Sequence, residues 1–126
     1  MRDVVSSRGA PAAIGPYSQA IRAGGFLFIS GQIPLDPESV QVVDGDVAAQ
    51  THRVMQSLGA ILKAAGASYE HVVRTTIFLT DLTDFALVND VYGSYFAAPA
   101  PTRATVQVAA LPKGVSVEID AIAYLA

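Results

Sequence analysis

The chain has 126 residues, which points to one domain spanning 1–126. It is 52% apolar but only 15% charged, with a formal net charge of −3. It contains no Cys, which excludes thiol catalysis, disulfides and thiolate metal sites. Its Lys and Arg residues form no basic run of the kind that tight binding to nucleic acid or an anionic membrane requires.

Taken in chain order, residues 3–6 and 17–22 read as edge strands, and 26–29 as a compact apolar strand. Gly24-Gly25 reads as a hairpin turn between the last two. The stretch 34–45 holds Pro34, Asp36, Pro37, Asp44 and Gly45, and reads as a loop or loose hairpin between two ordered halves. Val47, Val54, Leu58, Ile61, Leu62 and Ala65, with Met55 beside them, recur at steps of three, four and seven. That spacing predicts a helix over about 47–65, with Asp46 as N-cap and Gly66 as its stop. Residues 72–79 read as a strand. Phe85, Val88, Tyr92, Tyr95 and Phe96 predict a shorter amphipathic helix near 84–96, opened by Thr83 or Asp84 and ended before Pro99. Residues 105–108 and 115–124 complete the set as strands.

This order predicts an α+β sandwich, a mixed sheet with two helices on one face. Two helices cannot cover both faces, so the other face needs a partner. Average soluble domains carry about 25% charged residues. The deficit here implies exposed apolar surface, which usually marks a subunit interface. No run of eighteen apolar residues is present, and residues 1–9 hold no hydrophobic signal core, so a cytoplasmic protein is expected.

The chemistry-bearing residues are few. His52 and His71 lie in no ligand spacing, so no metal site is expected. No Gly-x-Ser-x-Gly elbow or phosphate loop occurs. Strand alternation puts Val117 and Ile119 on one face and Glu118 and Asp120 on the other. It groups Arg103, Thr105 and Gln107 opposite Ala104, Val106 and Val108. The plain reading of Arg103 is an ion pair with Glu118 or Asp120.

Several segments carry a family resemblance. GPYSQA at 15–20, SGQIP at 30–34, PTRATV at 101–106, LPKG at 111–114 and VEIDAIA at 117–123 resemble the signature segments of the reactive-intermediate deaminase (RidA/YjgF) family. DLTDFALVNDVYGSYF at 81–96 resembles its second helix, and GDVAAQT at 45–51 the opening of its first. The resemblance runs through nearly the whole chain, in the same order.

It implies a chorismate-mutase-like fold that assembles as a homotrimer, its sheets forming a central barrel and its active sites lying in clefts between subunits. It implies hydrolysis of short 2-imino acids, or their enamine tautomers, to 2-keto acids and ammonia, with no metal or organic cofactor. Such imines arise from pyridoxal-phosphate-dependent dehydratases, so the role implied is metabolite damage control. By position, Arg103 corresponds to the carboxylate-binding Arg and Glu118 to the Glu that positions the attacking water. Tyr17, Ser30, Gly31 and Asn89 correspond to the pocket lining. Thr105 joins them, standing where some members carry Cys. The loop 37–44 lacks the Gly often found there.

The chemistry agrees. An imine is already electrophilic, and needs orientation, a placed water and proton traffic more than a strong nucleophile. A guanidinium matches a carboxylate through two parallel hydrogen bonds, a carboxylate can take a proton from water, and Tyr17 offers an apolar wall with a polar tip. Three rival readings stand beside this one. They are a translation-inhibiting ribonuclease, which the acidic balance opposes, a non-catalytic ligand-binding or chaperone-like module, and a deaminase for aminoacrylate-type or aminomuconate-type compounds.

Overall fold

The structure is a computed structural model and describes residues 2–125. Six strands form one sheet: β1 (Arg2–Val5), β2 (Ala20–Ala23), β3 (Phe26–Gln32), β4 (Val72–Leu79), β5 (Thr102–Gln107) and β6 (Val117–Tyr124). Their order across the sheet is β1-β2-β3-β6-β4-β5. Only β4 and β5 run parallel; every other neighbouring pair is antiparallel. The last strand to be made, β6, therefore sits between β3 and β4 and joins the two halves of the chain.

The helix α1 (Val47–Ala64) connects β3 to β4, and α2 (Phe85–Gly93) connects β4 to β5. Both pack on the same face of the sheet, as the strand and helix order predicts. Asp46 caps α1 by accepting from the Ala49 N–H, and the backbone turns away at Ala65 and Gly66. The apolar stripe of α1 meets Leu27, Ile29, Ile77, Leu79, Val117 and Ile119, each at most 4% exposed. The hairpin at Gly24-Gly25 forms as expected, with Gly24 at φ +59°, a left-handed value that glycine adopts without strain.

The second helix differs from its expectation. A 3₁₀ turn, Leu82–Asp84, comes first, and Asp81 caps it by accepting from the Thr83 backbone N–H and hydroxyl. The regular helix then ends at Gly93, with Tyr95 and Phe96 beyond it. The strand bounds also move: β1 lies at 2–5 and not 3–6, and β2 begins at Ala20 and not at 17, which leaves 17–19, with Tyr17, in a loop. β5 begins at Thr102, because its edge pairing with β4 starts at Arg74, and β6 begins at Val117, after a 3₁₀ turn at Pro112–Gly114. Strand β3 does not stop at Ile29. It continues through Ser30 and Gly31 across a register shift to Gln32.

The second face of the sheet carries no helix. Phe26, Phe28 and Tyr124 cluster there with ring centroids 5.0–6.2 Å apart, and each is 44–45% exposed. Val106 on β5 adds to this apolar surface. No helix among the described residues is long and apolar enough to cross a membrane.

Candidate active site

Two clusters hold the residues that the sequence singles out, and the sheet lies between them. The first is on the helix face. In the β4–β5 register, Thr75 pairs with Arg103 and Ile77 with Thr105. Thr75 and Ile77 are buried beneath the helices, so Arg103 and Thr105 share that face. Arg103 reaches α2, where its Nη1 donates to Asn89 Oδ1 at 2.7 Å. Its guanidinium carbon stands 5.4 Å from the Phe85 ring centroid and 5.2 Å from that of Tyr92. Phe85, Asn89 and Tyr92 are spaced four and three apart, which sets them on one side of α2. Thr105 Oγ1 is buried on the same face with no hydrogen-bond partner.

The second cluster is on the open face. Glu118 pairs with Phe78 and Asp120 with Thr76, between the positions whose side chains face the helices. The Glu118 carboxylate lies directly over Gly31, where a Cβ would overlap it. A side chain at 31 would push that carboxylate aside. Burial, first, and the neighbouring Asp120, second, push the Glu118 carboxyl above its ordinary value. Asp120 itself accepts from the Thr76 N–H at 3.2 Å.

Ser30 and Tyr17 belong to this second cluster. Ser30 Oγ donates to the Ser18 carbonyl at 2.6 Å, and its N–H donates to the Gln19 carbonyl. Tyr17 is 51% exposed and lines a crevice of about 50 Å³ with Gly31 and Gln32. The loop that carries Tyr17 is fixed from below by Gln19, which is only 5% exposed. Gln19 Nε2 donates to the carbonyls of Ser7, Ala10 and Pro11, and its Oε1 accepts from the Ser7 N–H. A buried amide requires such partners.

An ion pair between Arg103 and Glu118 or Asp120 is therefore not formed; they lie on opposite faces. Within one chain the seven candidate residues fall into two groups, Arg103, Asn89 and Thr105 on one side and Tyr17, Ser30, Gly31 and Glu118 on the other. Gln19, Phe85 and Tyr92 hold the candidate residues in place, and type and spacing alone do not mark them. Phe85 and Tyr92 read as an apolar stripe, yet Phe85 is 39% exposed. Their spacing with Asn89 was the available signal. Cavity size is no guide either. A larger cavity, about 780 Å³, is lined by Ser7, Arg8, Tyr17, Gln19 and Glu38 among others, and by neither Arg103 nor Glu118.

The histidines stand apart from both clusters. His52 bonds the Tyr95 hydroxyl at 2.9 Å, and His71 Nδ1 accepts from the Ser68 N–H. Among the described residues no group of three His, Cys, Asp or Glu is gathered as a metal ion would need.

Comparison with known proteins gives the lineage. The family model described as Endoribonuclease L-PSP matches residues 7–125. Protein DfrA of Myxococcus xanthus is 61% identical, over 97% of this chain and 95% of its own. The 2-iminobutanoate/2-iminopropanoate deaminase of Mus musculus is 51% identical, over 98% of this chain and 91% of its own. The crystal structure of E. coli TdcF with bound serine superposes with a TM-score of 0.94 at 42% identity, covering 98% of this chain and 99% of that one. With a whole-chain match in sequence and the same α+β fold, this protein belongs to the Endoribonuclease L-PSP family, that of the reactive-intermediate deaminases (RidA/YjgF).

Proposed function

We propose that the chain is a deaminase that hydrolyses short 2-imino acids, of the 2-iminobutanoate and 2-iminopropanoate kind, to 2-keto acids and ammonia. The observation that carries this reading is the state of Arg103. Its guanidinium is held on one side by Asn89 and two aromatic rings, and its carboxylate candidates lie across the sheet. One hydrogen bond leaves four of the five N–H donors of a guanidinium for a ligand, and the Nε–Nη2 edge suits a planar carboxylate. The deaminase name of the mouse relative and the serine bound in the TdcF crystal both agree with a small carboxylate ligand.

The two clusters then divide the work between copies of the chain. Arg103 of one copy holds the substrate carboxylate, with Asn89 and Thr105 beside it. Glu118 of a neighbouring copy holds the attacking water, with Tyr17, Ser30 and Gly31 forming the wall around it. Water adds to C2 of the protonated imine, Glu118 takes its proton, and the proton passes to the amine nitrogen. The C2 hydroxyl then gives its remaining proton to Glu118 as the C2–N bond breaks, ammonia leaves and takes up that proton as ammonium, and the C2 oxygen becomes the keto oxygen. Glycine at 31 leaves room for the Glu118 carboxylate. The site is incomplete in a single chain, which is why the reading requires a closed oligomer, taken as a trimer. The family model bears an endoribonuclease name, but a chain with net charge −3 and scattered basic residues lacks the footprint for gripping a phosphate backbone.

The test couples a threonine dehydratase to trapping of its imine, with and without this protein. The chain should shorten the lifetime of the imine, and Arg103→Lys should stay folded while kcat/KM collapses. Lys keeps the charge and loses the planar fork. Hydrogen bonds to charged groups are worth about 1.5–3 kcal/mol, so Arg103→Ala should lose roughly tenfold or more. Near-normal turnover by both variants would overturn the reading.

A further inference from the structure

Tyr92 is a phenol in an unusual place. It is 4% exposed and sits on α2, facing the strand that carries Arg103. Its hydroxyl lies 2.6 Å from Thr75 Oγ1, and Thr75 is itself 1% exposed. Its ring packs against Phe96, with centroids 4.8 Å apart, and presents itself to the Arg103 guanidinium at 5.2 Å. Thr75 is also the residue of β4 that pairs with Arg103 in the sheet register. A short closed circuit results: the β5 backbone at Arg103 pairs with Thr75, Thr75 holds Tyr92, and Tyr92 meets the Arg103 side chain. Asn89, one helical turn away, receives Nη1.

The physical argument concerns orientation. A guanidinium over an aromatic ring is attracted by the ring's quadrupole, but a long Arg side chain retains several rotatable bonds and loses entropy when it is stilled. Asn89 constrains one nitrogen only. A ring fixed in its own plane, by a hydroxyl bond at its far end, constrains the plane of the guanidinium as well. A Phe at 92 would keep the ring face but not the bond to Thr75.

We propose that Tyr92, anchored by Thr75, is a positioning residue that sets the guanidinium plane of Arg103 and so presents its free edge to the substrate carboxylate. This deepens the deaminase reading and rests on it. Tyr92 acts through Arg103 and touches no reacting atom.

The test compares Tyr92→Leu, Tyr92→Phe and Thr75→Val with the unaltered chain by two measurements. The first is ¹⁵N relaxation of the Arg103 Nε–H, which reports side-chain order without any substrate. The second is kcat/KM for a 2-imino acid and for its amide, which lacks the carboxylate. Order at Arg103 should fall in Tyr92→Leu, and less so in Tyr92→Phe and Thr75→Val. Loss of one hydrogen bond is typically worth a factor of about two to ten. The two milder variants should lose that much in kcat/KM for the acid, mainly through KM, and little for the amide. Combining Tyr92→Phe with Thr75→Val should be no worse than either alone, since both remove one bond.

A merely structural role would lower Tm and depress acid and amide alike, leaving Arg103 as ordered as before. That result would overturn the proposal, as would unchanged kcat/KM in all three variants. If the unaltered chain turns over no imine, the functional reading fails separately. Binding of 2-oxobutanoate by calorimetry then takes the place of kcat/KM, and a chain that also fails to bind it would overturn both.

Discussion

Glu118 is held in a conflict that pH can expose. Its carboxylate is half-buried over Gly31 and beside Asp120, and both burial and the like charge favour its protonated form. With the pKa raised in the folded state, the folded chain binds this proton more tightly than the unfolded chain does. The stability that Glu118 contributes is thus fully present below its unfolded pKa and is lost as pH rises through the folded value. Glu118→Gln removes that titration. Its Tm relative to the unaltered chain should climb as pH is taken from about 4 to about 8, with Gln the more stable partner at the upper end. Activity should move the other way. The acid limb of the kcat/KM profile should lie above where an unperturbed glutamate would put it, and Glu118→Gln should lose both the limb and the rate. General-base losses run ~10²–10⁴-fold, and the reactivity of imines puts this one at the low end or below. A Gln variant with full turnover and the same acid limb would make Glu118 structural.

Among the elements, α1 ties the fold together. It packs on β3, β6 and α2, and Gln50 on its first turn accepts from the Ser116 N–H just before β6. Its N-terminus depends on Asp46, whose carboxylate accepts from the Ala49 N–H at 3.0 Å. Replacing such a cap by Ala costs about 0.5–2 kcal/mol. Because α1 is central, that cost should appear as a lower urea midpoint for the whole chain at unchanged slope, with Asp46→Asn close to the original. An unshifted midpoint in Asp46→Ala would show the cap to be idle.

This helix was also the most legible part of the sequence. Eighteen residues give its apolar period room to repeat, and polar residues bracket it. The ends of the shorter α2 are not legible, because a 3₁₀ turn and a C-terminal turn share its apolar residues, and local pattern does not separate them. Strand order was not legible from periodicity, since inserting β6 between β3 and β4 depends on contacts far apart in sequence. The bulge at Ser30 and Gly31 was read as a strand end for the same reason. The side-chain alternation of β5 and β6 was legible and correct. Alternation within a strand does not reveal which way its neighbour faces, so the separation of Arg103 from Glu118 came only with the register. The seven candidate residues themselves were singled out by motif resemblance. Residue type alone left each of them an ordinary explanation.

At the scale of the whole molecule, one face of the sheet is bare. Phe26, Phe28, Tyr124 and Val106 leave apolar surface there, and Arg74, Thr76 and Asp120 line a hollow of about 260 Å³ with Phe28 and Ile122. A closed assembly of copies would bury this face, and the deaminase reading needs that assembly to join the two clusters. Light scattering at micromolar concentration should report three chains. The composite site has its own signature. Arg103→Ala and Glu118→Gln should each lose most of their activity as pure proteins. Refolded together in equal amounts, they should regain activity in about a quarter of the sites, the fraction in which an intact Arg103 meets an intact Glu118 across an interface. Mixed trimers that stay inactive would rule out the shared site.

The placement of Arg103 and Glu118 on opposite faces also bears on how such an enzyme would behave at low abundance. If neither half of the site works alone, turnover per chain is a function of how many chains are present. Diluting the protein through the dissociation range of its assembly should make total activity fall faster than concentration, and adding back an inert copy bearing both Arg103→Ala and Glu118→Gln should poison rather than rescue it. If the chain hydrolyses imines as proposed, a cell making little of it would have disproportionately little protection, and the imine concentration it tolerates would rise steeply once expression passes the assembly threshold.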